Sequence, residues 1–243
     1  KINGLSVPDR KEDLGARVVL CATSLDSFAT FFHGKPPNRL AQGTRAIEAG
    51  AYRYVLHLVM NEAGVPEGLG KVAFVLRDPR APLIDDNAFA VYAHKLEEDE
   101  HVLVTLVANA SAPPDGMSLD DAFGALRKKL LSHLETMLNF SPSHARMVHS
   151  PNESRPPTGL KLKDAPPVVA PKPLWSSSLP SALGVGAAPY NIGFNNVATA
   201  STQNLPGLGV EGEFVAAWCA ARFACAAAGK RRDYLKDEVL FGS

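Results

Sequence analysis

Between Ala51 and Leu138 the hydrophobic period changes once, from two to 3.6, and this change restricts the folds open to the chain. "AYRYVLHLVM" (Ala51–Met60) alternates. Tyr52, Tyr54, Leu56, Leu58 and Met60 fall on one face, and Arg53, Val55, His57 and Val59 on the other. "KVAFVLRD" (Lys71–Asp78), "AFAVYAHKL" (Ala88–Leu96) and "HVLVTLVANA" (His101–Ala110) continue the series, and short polar connectors such as "EEDE" favour antiparallel neighbours. "SLDDAFGALRKKLLSHLETMLNF" then reads as a helix. Ser118 is a natural N-cap, Asp120 and Asp121 complement the helix dipole, and Leu119, Phe123, Leu126, Leu130, Leu134 and Leu138 form one apolar stripe. The expected class is α+β, with an antiparallel or mixed sheet and packed helices.

The flanking segments are less regular. The opening reads as a β-hairpin entered mid-stream, with "INGLSV" and the buried strand "RVVLCAT" (Arg17–Thr23) joined by the polar "PDRKEDLGA". It is not a signal peptide, and with no initiator methionine it is expected to continue from a larger gene product. From Ser141 to Pro180 the prolines at 142, 151, 156, 157, 166, 167, 171, 173 and 180 exclude a long helix and predict an extended crossover. The sixty-odd residues beyond it are too few for a comfortable core of their own. They hold a short strand, "NNVATAS", a glycine-rich turn, and the helix "EFVAAWCAARFACAAAG", with Gly229 as a C-cap before Lys230, Arg231 and Arg232.

Composition excludes several classes. Twenty-five basic and 25 acidic residues give a formal net charge of zero, so nothing favours nucleic acid or an anionic membrane as partner. Three cysteines, Cys21, Cys219 and Cys225, form no C-x-x-C pair and fit reduced thiols in a cytoplasmic protein. No apolar run reaches membrane-spanning length, so membrane association would be peripheral. The seven histidines show no H-x-x-x-H or H-E-x-x-H spacing, and no G-x-S-x-G elbow is present, so neither a metal site nor an α/β-hydrolase is expected.

The feature with most chemistry is "NLPGLGVEGEF" (Asn204–Phe214), where Gly207, Gly209 and Gly212 have G-x-G-x-x-G spacing. A dinucleotide fold needs that turn in its first βαβ unit, followed by an acidic residue at the second strand. Here the highly charged "KRRDYLKDEVLFGS" follows the helix and makes a poor buried parallel strand, so a complete Rossmann unit built on this turn is not expected. The glycines still let backbone amides approach an electron-rich group at a helix N-terminus. A tight strand-to-helix turn without a ligand explains the same spacing.

The string "NNVATASTQNLPGLGVEGEFVAAWCAARFA" resembles the C-terminal flavin segment of the FAD-dependent oxidoreductases that include phytoene (carotenoid) desaturases and flavin amine oxidases. Asn196-Val197-Ala198 is similar to the family's strand, Pro206 to Gly212 to its turn, and Ala216 to Ala228 to the small-residue helix that starts beneath the isoalloxazine. Upstream, "ARVVLCATS" is similar to the family's returning strand. The resemblance implies strands returning to the FAD domain over 1–23, a substrate-binding region over 24–150, a crossover over 151–195 and a flavin-binding segment over 196–243.

It further implies FAD held by Ser201, Thr202, Pro206, Gly207, Leu208, Gly209, Val210, Glu211 and Gly212. Tyr52, Tyr54, Phe74 and Tyr92 would line a cavity for a small apolar substrate, although each taken singly also suits core packing. Two departures stand out: the family's N-terminal Rossmann motif is absent, and Ser201 and Thr202 stand where many members carry a glycine followed by an acidic or small residue. The expectation is therefore the C-terminal part, or one subunit, of an FAD-dependent desaturase that works as a heterodimer with a Rossmann half. No residue declares itself as a catalytic base. The alternatives are an amine oxidase, a non-catalytic partner in a split flavoprotein, and a lipid- or polyene-binding module.

Overall fold

The alternation of β4 (Ile47–Asn61) organises the larger sheet. The computed structural model describes residues 4–7, 12–96, 100–138, 141–159, 166–178 and 190–229. β4 pairs antiparallel with β7 (His101–Ser111), in register from Ala51↔Ser111 to Asn61↔His101, and on its other side with β8 (Ala145–His149). β5 (Val72–Leu76) and β6 (Ala88–Lys95) complete the order β5-β6-β7-β4-β8, and β9 (Pro173–Ser177) also pairs with β4.

The even residues of β4 point into the main core. Tyr54, Leu56, Leu58 and Met60 pack there with Val104 and Leu106 of β7, Val91 of β6, and Phe123, Leu126, Leu130 and Leu134 of α3 (Leu119–Met137). The period change read from the sequence is therefore a sheet face covered by a helix. Ser118 caps α3 by accepting a bond from the Asp121 amide at 3.1 Å.

The chain divides into two compact units, one of residues 1–48 and 175–243 and the other of 49–174. The six-stranded sheet's main core and α3 belong to the second unit, together with the short helix α4 (Ser141–His144). In the first unit β1 (Gly4–Val7) pairs antiparallel with β2 (Glu12–Gly15), and β3 (Val19–Cys21) pairs parallel with β10 (Val197–Thr199). A smaller core of Cys21, Leu25, Phe28, Leu40, Ile47, Ile192 and Val197 gathers around α1 (Leu25–Ala29) and α2 (Asn38–Ala46). The expected substrate-binding region, 24–150, lies across both units.

Three local expectations change. β1 pairs with Glu12–Gly15 and not with Arg17–Thr23, and β3 within that second stretch pairs instead with the distant β10. The polar, proline-marked stretch after Thr23 contains α1 and α2, whose few apolar residues give no readable stripe. The proline-rich segment contains α4, β8 and β9, with Pro142 in the first turn of α4, Pro173 as the first residue of β9, and β8 free of proline. The basic cluster Lys230, Arg231 and Arg232 lies outside the described residues.

Candidate functional site

In the first unit β10 leads through a tight polar turn into α5 (Gly209–Ala227). Four side chains the sequence did not single out as a group hold this turn. Asn204 accepts from the Ser201 amide at 2.8 Å and donates to Thr199 Oγ1 at 2.9 Å, both buried. Gln203 accepts from the Leu25 amide at the start of α1, and Asn196 donates to the Arg17 carbonyl at 3.1 Å. These bonds hold the parallel pair β3–β10 and the entry to α5 together. Ser201 Oγ accepts from the Gln203 amide at 3.3 Å, so its hydroxyl is engaged within the turn, and Thr202 stands beside it half-buried. Only the polar density of "NNVATASTQN" could have marked this network in the sequence.

Pro206–Leu208 forms a single 3-10 turn before α5. Gly209 has φ +57°, a conformation that favours glycine, and a Cβ there would meet only Glu211 Oε2, at 4.0 Å. No side chain caps α5, and Glu211 lies in its first turn. Gly212 serves a different purpose: a Cβ there would stand 2.5 Å from the Leu205 carbonyl oxygen. Gly212, Ala216 and Ala220 form the buried small-residue face of α5, while Phe214 is 74% exposed. Pro206, Gly207, Leu208 and Val210 complete the turn, so all the cofactor residues expected from the sequence lie in one short segment.

In the second unit the four expected substrate residues separate. Tyr54 is fully buried in the main core beneath α3, and Tyr52 packs against that core on the same side of β4. Phe74, 81% exposed, and Tyr92 lie on the opposite face, since Phe74 pairs with Ala90, Ala90 with Val107 and Val107 with Val55. Tyr52 and Tyr54 therefore cannot line one cavity with Phe74 and Tyr92.

The register draws a polar row across this open face. Tyr92 of β6 stands opposite Thr105 of β7, Thr105 opposite His57 of β4, and His57 opposite His149 of β8. His57 Nδ1 lies 2.9 Å from Thr105 Oγ1. Burial lowers the pKa of His57, and the neighbouring His149 lowers it further. Val55, Val59 and Val107 flank the row half-buried. In the sequence His57 is simply one residue on the second face of its strand; only the strand order brings its neighbours together.

A buried polar cluster sits on the helix-covered side. The Tyr54 hydroxyl donates to Glu153 Oε1, and Arg127 of α3 approaches Glu153 Oε2 at 3.5 Å, with Arg127 and Glu153 both nearly inaccessible. Asn152 accepts from the Val55 amide at 3.0 Å and donates to the Val169 carbonyl at 3.1 Å. Burial raises the Tyr54 pKa, and its hydrogen bond to Glu153 adds to the shift. The segment "HSPNESRP" thus ties the end of β8 to the sheet and α3. Tyr54, Glu153 and Asn152 are drawn into internal bonds and Arg127 Nη1 meets Glu153 as an ion pair without a hydrogen bond, so the cluster's role is structural.

No protein-family model, no curated protein and no solved structure matches the chain. Among the described residues no group of three or more His, Cys, Asp or Glu side chains could hold a metal ion, and no helix is long and apolar enough to cross a membrane.

Proposed function

We propose that this chain is the C-terminal part of an FAD-dependent oxidoreductase, acting on an apolar substrate together with a polypeptide that carries the ADP-binding half. The observation that supports the reading best is a continuous run. The parallel pair β3–β10 enters the P-G-x-G-x-x-G turn, and α5 follows with an open, uncapped N-terminus. A flavin bound there would accept two electrons as a hydride from a C–H bond of the substrate. The chain's own contribution is the amides of Gly209, Val210 and Glu211, fixed in advance where they favour added negative charge. Gly209 fits that role, because open space surrounds the position its Cβ would take. Desaturation is favoured over amine oxidation by the closer turn similarity and by the apolar side chains of the open sheet face.

Among the described residues β3 pairs with β10 alone, and this supports the need for a partner. Leu20 is 47% exposed although its pairing partner Ala198 is fully buried, and parallel strands are ordinarily covered on both faces. A second reading, a non-catalytic partner that keeps the fold for assembly, draws on Ser201, whose hydroxyl the turn already uses. The test is to purify the chain alone and with a polypeptide bearing a strand–G-x-G-x-x-G–helix unit, then record flavin absorbance and its bleaching by apolar substrates. Flavin in the complex only, bleached by substrate, is the expected result. Stoichiometric FAD on the isolated chain would overturn the split site, and a complex without flavin would favour the assembly role.

A further inference from the structure

We propose that His57 and His149 form a two-imidazole site for a divalent first-row transition metal ion of the Zn2+, Ni2+ and Cu2+ class, on the sheet face opposite α3. The inference is independent of the flavin reading. The two histidines are direct cross-strand partners on antiparallel β4 and β8, so their side chains leave the same face from backbones fixed by the ladder. Directly opposed residues on antiparallel strands have Cβ atoms about 5 Å apart, a separation two imidazoles can bridge through one ion.

Each ring offers a nitrogen. His57 Nδ1 is engaged with Thr105 Oγ1 at 2.9 Å, which fixes the ring; with the proton on Nδ1, the lone pair of Nε2 is free for a metal. A hydrogen-bond acceptor on the second ring nitrogen holds a ligating histidine in orientation, and the Thr105 hydroxyl can serve as one. His149 Nδ1 is buried and has no hydrogen-bond partner, an arrangement that a metal ion or a proton donor would relieve.

The described residues supply no third side chain of the usual ligand types, so water completes the coordination and the ion exchanges readily. Imidazole donors bind Cu2+ more tightly than Ni2+ or Zn2+, and the three-ion series should follow that order.

The test is a Ni2+ titration followed by calorimetry on the intact protein and on His57→Gln, His149→Gln and His94→Gln, the last an exposed histidine on β6. One saturable site is expected, weakened tenfold or more by either of the first two changes and unaltered by the third. Absence of a saturable site, or an affinity unchanged in His57→Gln or in His149→Gln, overturns the proposal. A second readout needs no variant: the electron paramagnetic resonance spectrum of the Cu2+-loaded native protein. Coupling to two imidazole nitrogens is expected, and a spectrum with one or none overturns the pair.

Discussion

Asp86, in the connection between β5 and β6, gathers two cationic groups and an imidazole around one carboxylate. Arg77 Nη1 approaches at 2.6 Å, Lys129 Nζ at 3.1 Å and His133 Nε2 at 2.9 Å. Burial pushes the carboxyl pKa up, but the hydrogen bonds from His133 and Lys129 outweigh it and hold the group at about 2. A pKa lowered by folding means that the folded state binds its proton less readily. The stabilisation is therefore complete above the unfolded carboxylate range of about 4 and is lost as pH falls towards 2. Arg77 and Lys129 are more than half-exposed or close to it, so solvent screens the pairs and the contribution is about 1 kcal/mol. Asp86→Asn should lower the urea midpoint at pH 7 by a corresponding amount, and the gap from native protein should close as pH approaches 2. An equal gap at both pH values would show that packing, and not charge, carries the effect. None of this was legible in the sequence, because Asp86, Lys129 and His133 come from a loop and a helix that only the folded chain brings together.

At the scale of elements, the long periodic segments were legible and the short ones were not. β4 to β7 and α3 carry enough turns or alternations for burial to show as a pattern, and the Ser118 cap marks its helix in advance. β8, β9, α1 and α2 depend on distant partners that supply most of their burial, so their own composition says little. The glycine turn was read correctly as a strand-to-helix connection, yet its glycines divide the work in a way spacing cannot reveal. Gly212 makes room for the Leu205 carbonyl, whereas Gly209 supplies a positive φ in open space. Gly212→Ala should therefore destabilise the protein by about 1–3 kcal/mol, through a forced shift of α5 against the turn. Gly209→Ala should cost about 1–3 kcal/mol, through strain at a backbone conformation of φ +57° and ψ −130°. Urea midpoints of the two variants measure both. A neutral Gly212→Ala would mean that the Leu205 turn moves aside, and the close approach would then be no constraint on the sequence.

At the scale of the whole molecule the two units are unequal in what they bury. The main core lies entirely between Tyr54 and Leu138, inside the unit of residues 49–174, and draws on a sheet and a long helix from that unit. Among the described residues the other unit holds a smaller core and two-stranded pairings, β1–β2 and β3–β10, and a two-stranded pairing is only marginally stable without further cover. The fragment 49–174 should therefore fold alone, with a cooperative urea transition and a native-like near-ultraviolet dichroism signal. Loss of that signal with retained secondary structure would show that the sheet needs the remaining chain to fix its side chains. In the intact protein, amides of β3 and β10 should exchange with solvent faster than those of β4 and β7, because local opening there exposes less apolar surface. If a partner lays a strand against β3, these amides should slow in the complex while those of β4 and β7 stay unchanged. Protection of β3 as strong in the isolated chain as in β4 would mean that its edge is already stable, and the argument for a missing neighbour would lose its physical basis.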